Sequence, residues 1–321
     1  MHRLRALTLT ACVLIAVPAS ARTMPPAALI ENLAKVDARV AQVGFRLLTA
    51  NVARCPSRMP ATGLVLHSLF QYRGPYRAAA LDTWTFPAAV SVAVVIPQSP
   101  AARAGLHSGD GLIRIAGMEL PQSLPGQAPT TWLRDDAESR LAALPPAAPI
   151  ALTIRRGEQN LPITVEPIPA CRSRIEVAPG LKSAAQSDGA TIQLGQAFAE
   201  RSDDDGLAVA IAHELAHTIL EHRQTLRKLE SDGLPTKGLA RAFEDDADML
   251  SLELLAAAGW NPMIAPRFMR REGRRYDPVI PGSGKHRSAE DRARRMEQRL
   301  QAPPFSQCRV PGNRSEPCIA A

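Results

Sequence analysis

The chain has 321 residues, with 38 Lys and Arg against 31 Asp and Glu, and a net charge of +7 at pH 7. That length leaves room for two domains. The basic excess lies in scattered arginines, with runs over residues 267–275 and 292–299; no nucleic-acid motif accompanies them, so nucleic acid is not an expected partner, while peripheral contact with an anionic membrane surface is compatible with them.

Residues 1–21 read as a targeting signal. Arg3 and Arg5 form a short basic region, residues 6–17 are apolar, and Ala19-Ser20-Ala21 is a small-residue cleavage site. The apolar run is too short to span a bilayer comfortably. Cleavage would leave 300 residues with 36 basic and 31 acidic side chains. The expected location is the periplasm or the exterior, with a lipoprotein anchored at Cys12 as the alternative. No later stretch is a transmembrane candidate, which predicts a soluble or peripheral protein.

Residues 28–53 predict a packing helix, because Leu29, Leu33, Val36, Val40, Val43 and Leu47 recur in steps of four and three. Residues 90–95 are β-branched and strand-like. They are followed by Ser99-Pro100-Ala101-Ala102-Arg103-Ala104-Gly105-Leu106, then Gly109-Asp110-Gly111-Leu112-Ile113-Arg114-Ile115-Ala116-Gly117. This stretch resembles the core of PDZ domains in bacterial envelope proteases. A helix over 130–144 and a hairpin over 150–165 complete such a module. The resemblance implies capture of an extended peptide by strand addition at a sheet edge. Tyr72-Arg73-Gly74-Pro75-Tyr76 is the candidate loop for a peptide carboxylate, and the bland alternative is a spacer or lid. Residues 190–195 predict a strand flanking the site described next.

Three aspartates, Asp203 to Asp205, precede an apolar helical run containing His213-Glu214-Leu215-Ala216-His217. Acidic residues suit a helix N-terminus. At a spacing of four, His213 and His217 share one face and can reach one metal ion, while Glu214 projects beside them. Leu207, Ile211, Leu215 and Ile219 lie on the opposite side, with His222 reading as a core residue there. Residues 223–239 are polar and contain Gly233, Pro235 and Gly238, which predicts a surface loop. Glu244 and Asp248 then share a face near the start of a helix that stops at Gly259. Catalytic zinc needs three protein ligands and an open position. Glu244 could be the third, with Asp248 orienting a histidine through its second N–H.

Together with Ala247 and Ala258-Gly259-Trp260-Asn261-Pro262, these residues resemble the gluzincin peptidases of the HtpX, CAAX-prenyl-protease and mitochondrial quality-control type, in their soluble periplasmic branch. The resemblance spans roughly residues 171–300. It implies one Zn²⁺ per chain held by His213, His217 and Glu244, with Glu214 as general base. The family's His-Pro-x-x-x-x-Arg segment reads His286 to Arg292 here, with Arg287 in place of the proline; it implies that His286 or Arg292 helps to hold the oxyanion. Ser288-Ala289-Glu290-Asp291 reads as a capping box opening a last helix.

Of the four cysteines after the signal, Cys55 and Cys171 bracket the middle region and Cys308 and Cys318 flank the tail. Those are the expected disulfides, and the absence of C-x-x-C spacing argues against thiolate zinc ligation.

The expected fold is α+β: a mainly helical zincin-like domain with a small sheet, and an inserted β-rich PDZ domain. The boundaries are 1–21 for the signal, 22–74 for an N-terminal helical segment, 75–168 for the PDZ and 169–321 for the metallopeptidase. The expected function is zinc-dependent cleavage of unfolded or misassembled envelope proteins. The alternative is a PDZ-bearing chaperone or assembly factor whose zinc site is closed or vestigial.

Overall fold

In chain order the elements are α1 (Pro26–Ala50), β1 (Arg58–Ala61), β2 (Leu64–Ser68), α2 (Pro75–Thr83), β3 (Val90–Val95), α3 (Pro100–Arg103), β4 (Gly111–Ile115), β5 (Met118–Glu119), α4 (Trp132–Ala142), β6 (Ile150–Arg156), β7 (Gln159–Val165) and β8 (Ile168–Cys171). They continue with β9 (Arg174–Ala178), β10 (Ala185–Ser187), β11 (Thr191–Gly195), α5 (Gln196–Arg201), α6 (Asp204–Ile219), α7 (His222–Ser231), α8 (Leu239–Ala257), α9 (Ile264–Tyr276) and α10 (Ala289–Gln301). The computed structural model describes residues 25–124, 129–236, 238–276, 287–303 and 305. The predicted signal, Cys12, His286, Cys308 and Cys318 lie outside the described residues.

The architecture is α+β, in two units with separate cores. The β-rich unit is an antiparallel sheet of order β2-β3-β4-β6-β7, with β5 on β4. Leu66, Val92, Leu112, Ile115 and Ile154 fill its core against Leu133 and Ala137 of α4. The residues of its sequence motif have local jobs. Ser99 caps α3 by accepting from the Ala102 N–H at 3.2 Å, with Pro100 where a helix lacks a donor requirement. Asp110, 1% exposed, accepts from the His107 N–H and from both Nε and Nη2 of Arg156, at 2.7–2.8 Å.

This unit begins at β2 rather than at residue 75. Leu64–Ser68 pairs with β3 in the same sheet, and α2 is the connection between them. A five-residue strand directly after a turn at Gly63, whose φ is +81°, carries too little alternation to be read from sequence. At the base, β1 pairs with β8 and Cys55 is bonded to Cys171 across 116 positions. The bracket predicted from the cysteines therefore encloses the β-rich unit together with its two-stranded stalk.

In the second unit, α1 and α6 pack on a three-stranded sheet of order β10-β11-β9, α8 and α9 pack on α6, and α10 packs on α8 and α9. α6 runs through its middle. Asp203 caps it by accepting from the Gly206 N–H at 2.8 Å, and Leu207, Ile211 and Leu215 are fully buried. α1 ends at Ala50, a turn earlier than its periodicity predicts. There Asn51, 1% exposed, spends its amide on the Leu47 and Leu254 carbonyls instead of continuing the helix. Midway, Gly44 lets α1 approach β9: a Cβ there would sit 2.5 Å from Ile175 Cδ1. α8 stops as predicted at Gly259, φ +76°, with the Trp260 N–H returning to the Leu255 carbonyl.

Two readings of this unit are corrected. Residues 223–231 belong to helix α7, not to a loop; polarity suggested a loop, but no breaker occurs before Gly233 and Leu226 and Leu229 are half-buried. The strand over 190–195 is β11, which is central and paired on both sides, so the edge available beside the site is β10.

Candidate metal centre

His213 and His217 stand one turn apart on α6, and Glu244 approaches from the second turn of α8. His213 Nε2 lies 3.2 Å from His217 Nε2 and 3.3 Å from Glu244 Oε2, and His217 Nε2 lies 3.4 Å from Glu244 Oε1. These three residues are a group whose donor atoms could hold a metal ion. Tetrahedral zinc with ligands at 2.0–2.2 Å would have donor-to-donor edges of about 3.3–3.5 Å. The spacing found here fits such an ion.

The surroundings hold each imidazole in place. Asp248, 2% exposed, has Oδ1 at 3.1 Å from His213 Nδ1. On its other side it accepts from Arg292, Nε at 2.8 Å and Nη2 at 2.7 Å. Burial alone would raise the Asp248 pKa, but Arg292 and then His213 outweigh it and hold the carboxyl down. Burial likewise pushes His213 down, and Asp248 and Glu244 overcome it to bring its pKa up to about 10. His217 is lowered to about 3 by burial and by the charge on His213. A divalent cation held by these donors would displace any proton from the ligating imidazole nitrogens.

His217 has a partner that the sequence did not reveal. α6 ends at Leu220, Glu221 turns through the left-handed region at φ 54°, and His222 starts α7. That bend returns His222 toward His217, Nδ1 to Nδ1 at 2.9 Å. When His217 Nε2 is a ligand, its Nδ1 carries the hydrogen and donates to His222. Phe243 stacks on His222, centroids 4.1 Å apart and planes at 8°. His222 is therefore not a core residue on the far side of α6. Helical phase placed it there, and the bend cancelled that phase.

Arg292 meets a partner that the sequence did not assign to it. It is 5% exposed, and two of its guanidinium nitrogens are engaged by Asp248 behind His213. Through Asp248 it supports the orientation of His213, and it also lines the cleft. Arg287 forks onto Asp245, the residue after Glu244, with contacts of 2.8–3.0 Å. His286 itself lies outside the described residues.

Glu214 is half-buried beside His213 and stands outside the donor trio. It lines a cleft of about 420 Å³, together with His213, His217, Glu244 and Gln186 of β10. Open space, a three-donor site and a carboxylate beside it are the components of metal-assisted hydrolysis.

No known protein family matches the chain, and no curated protein matches it. Among solved structures it is similar to the PDZ domain of HtrA3 bound to a phage-derived ligand (FGRWV), at 19% identity over 35% of this chain and 88% of that one, with a TM-score of 0.25. It is also similar to the HtrA-type protease AlgW with a decapeptide, at 22% identity over 35% of this chain and 29% of that one, with a TM-score of 0.26.

Tyr72, Arg73 and Tyr76 of the proposed peptide loop do not line the groove of the β-rich unit, although the cavity they line shares Val65 and Glu138 with it. That groove lies between β2 and α4, and Leu64 and Val65 line it with Ser139 and Ala142. Tyr72, Arg73 and Tyr76 line a different cavity, against α1.

Proposed function

We propose that the chain is a zinc-dependent endopeptidase of the bacterial cell envelope, exported by its N-terminal signal, that cuts unfolded or misassembled polypeptides. The observation that supports this most is the spacing of the three donor atoms, 3.2–3.4 Å apart on two helices beside an open cleft. His213, His217 and Glu244 would hold the ion. When bound, zinc supplies Lewis acidity toward a water and toward the scissile carbonyl. Glu214 accepts a proton from the attacking water and returns it to the leaving amine. Asp248 and His222 fix the two imidazoles so that each presents Nε2 to the site. His286 or Arg292 is the oxyanion donor that the family resemblance implies. The β-rich unit acts as a PDZ-like module that binds extended peptide at the free edge of β2.

A chaperone with a vestigial site would have no need to keep the donors, the neighbouring carboxylate and both orienting partners together. The deciding experiment incubates the purified mature protein with reduced, carboxymethylated α-lactalbumin, as prepared, after chelation, and after chelation with zinc restored. The reading expects one zinc per chain, cleavage as prepared, loss on chelation and recovery with zinc. Binding of the probe without cleavage under every condition would leave the peptide-binding alternative.

A further inference from the structure

Three hollows adjoin one another, each sharing lining residues with the next. The cleft at the metal centre shares Gly189, His217 and Arg223 with a second hollow of about 330 Å³ beside the disulfide. That hollow shares Ser57, Arg172, Gly189 and Ala190 with the groove between β2 and α4, about 590 Å³. Gly189, in the β10–β11 turn, lines all three.

Each end of this trough offers the same kind of surface. β2 is the outermost strand of its sheet and β10 the outermost of the other, both among the described residues. An unpaired strand edge is a template for an added extended strand. The two edges are also held in one frame. Arg134 of α4 donates to Glu176 of β9 at 3.0 Å, Gln193 of β11 donates to Glu176 at 2.7 Å, and Gln186 of β10 donates to Gln193 at 2.9 Å. Arg174 of β9 reaches back to Asp135 and Glu138 of α4 at 2.9 and 3.2 Å. The groove-forming helix is thus linked side chain by side chain to the cleft-forming strand. In the middle hollow three exposed arginines, Arg172, Arg223 and Arg227, outnumber Asp188 and Glu221.

We propose that one extended polypeptide occupies the whole trough, anchored on β2 and cut beside β10, with a preference for acidic residues in the stretch between. This rests on the peptidase reading above and adds a length and charge requirement for its substrate. Anchoring makes delivery to the metal centre intramolecular, which raises the local concentration of the scissile segment.

The test uses the zinc-loaded mature chain carrying Glu214→Gln, so that bound substrate is not cut, with p-benzoyl-phenylalanine in place of Ser139 and of Gln186. Both positions are exposed and line opposite ends of the trough. Photolysis with carboxymethylated α-lactalbumin is expected to give an adduct of one protein and one polypeptide, attached at both positions. Attachment at one position alone, or two polypeptides on one protein, would overturn the proposal. In parallel, Ser139→Trp should lower kcat/KM for that protein by about 10–100-fold, a larger fall than for a hexapeptide too short to reach the groove. Equal rates on the long substrate would also overturn it. If the double attachment forms but the protein without Glu214→Gln never cuts the captured polypeptide, the peptidase reading fails and the shared trough stands.

Discussion

Asp248 accepts both Nε and Nη2 of Arg292, at 2.8 and 2.7 Å, from a position where neither side chain is more than 5% exposed. The same carboxylate lies 3.1 Å from His213 Nδ1. One buried ion pair therefore does two things: it joins α10 to α8 and it orients a histidine of the candidate metal centre. Removing one member leaves a buried charge without its partner, which costs about 3–5 kcal/mol. Arg292→Met should lower stability by that order and weaken zinc binding by about 10–100-fold. Asp248→Asn, which keeps the shape, should unfold less readily than Arg292→Met but lose zinc affinity similarly. Denaturant midpoints and zinc titrations check both, and an Arg292→Met protein with unchanged zinc affinity would remove Arg292 from the support of His213.

Glu214 and Glu244 lie in one cleft but have different expected roles, and substitution separates them. Glu214→Gln should keep one zinc per chain and lose proteolysis, because it is outside the donor trio. Glu244→Gln should lose zinc itself, since its carboxylate oxygens are the ones placed 3.3 and 3.4 Å from the two imidazoles. Metal content by mass spectrometry distinguishes the two. A Glu214→Gln protein that cuts at the original rate would sink the general-base role.

His222 gives a second orienting interaction to probe. In His222→Phe the stacking on Phe243 can persist, but His217 Nδ1 loses the partner now 2.9 Å away. Zinc affinity should fall by about 10–100-fold with little change in fold, and His222→Asn should recover part of it through its side-chain oxygen. Equal affinities for all three proteins would reduce His222 to packing.

His67 predicts a pH dependence away from the metal centre. It is 3% exposed among Tyr72, Trp84 and Phe86, and burial lowers its pKa from 6.5 to about 4. Below pH 6.5 the unfolded chain takes up a proton that the folded chain refuses. The contribution is therefore full above pH 6.5 and is lost as pH falls toward 4, a loss of about 3 kcal/mol over that window. His67→Phe should flatten that slope. The check is the difference in unfolding free energy between the two proteins at pH 4.5 and at pH 7.5, and parallel curves would count against it.

The Cys55–Cys171 bond closes 116 positions of chain at the foot of the β-rich unit. Replacing both cysteines by serine should destabilise the protein by about 2–5 kcal/mol. Excising residues 64–165 while keeping β1, β8 and the disulfide should leave zinc binding intact, because no donor lies there. A cut at residue 75 would instead strand β2 without its sheet. Far-ultraviolet circular dichroism and zinc content compare the two deletions; equal behaviour would contradict the boundary at Leu64.

What the sequence determined by itself was local. The four-residue spacing of His213 and His217, the Asp203 cap, the Gly259 stop and the Ser99-Pro100 turn depend on bonds within one or two turns of chain, so their residue types announce them. Glu244 and Asp248 were legible for the same reason, as two positions on one helix face. Tertiary structure decided which partners those groups meet. Arg292 reaches Asp248 from 44 positions away because α10 docks on α8, and no spacing rule carries information over that distance. His222 turned toward the metal-facing histidine because one residue, Glu221, entered the left-handed region and reset the helical phase. β10, rather than the more strand-like β11, became the cleft edge because pairing order is set by which strands find neighbours, not by their β propensity.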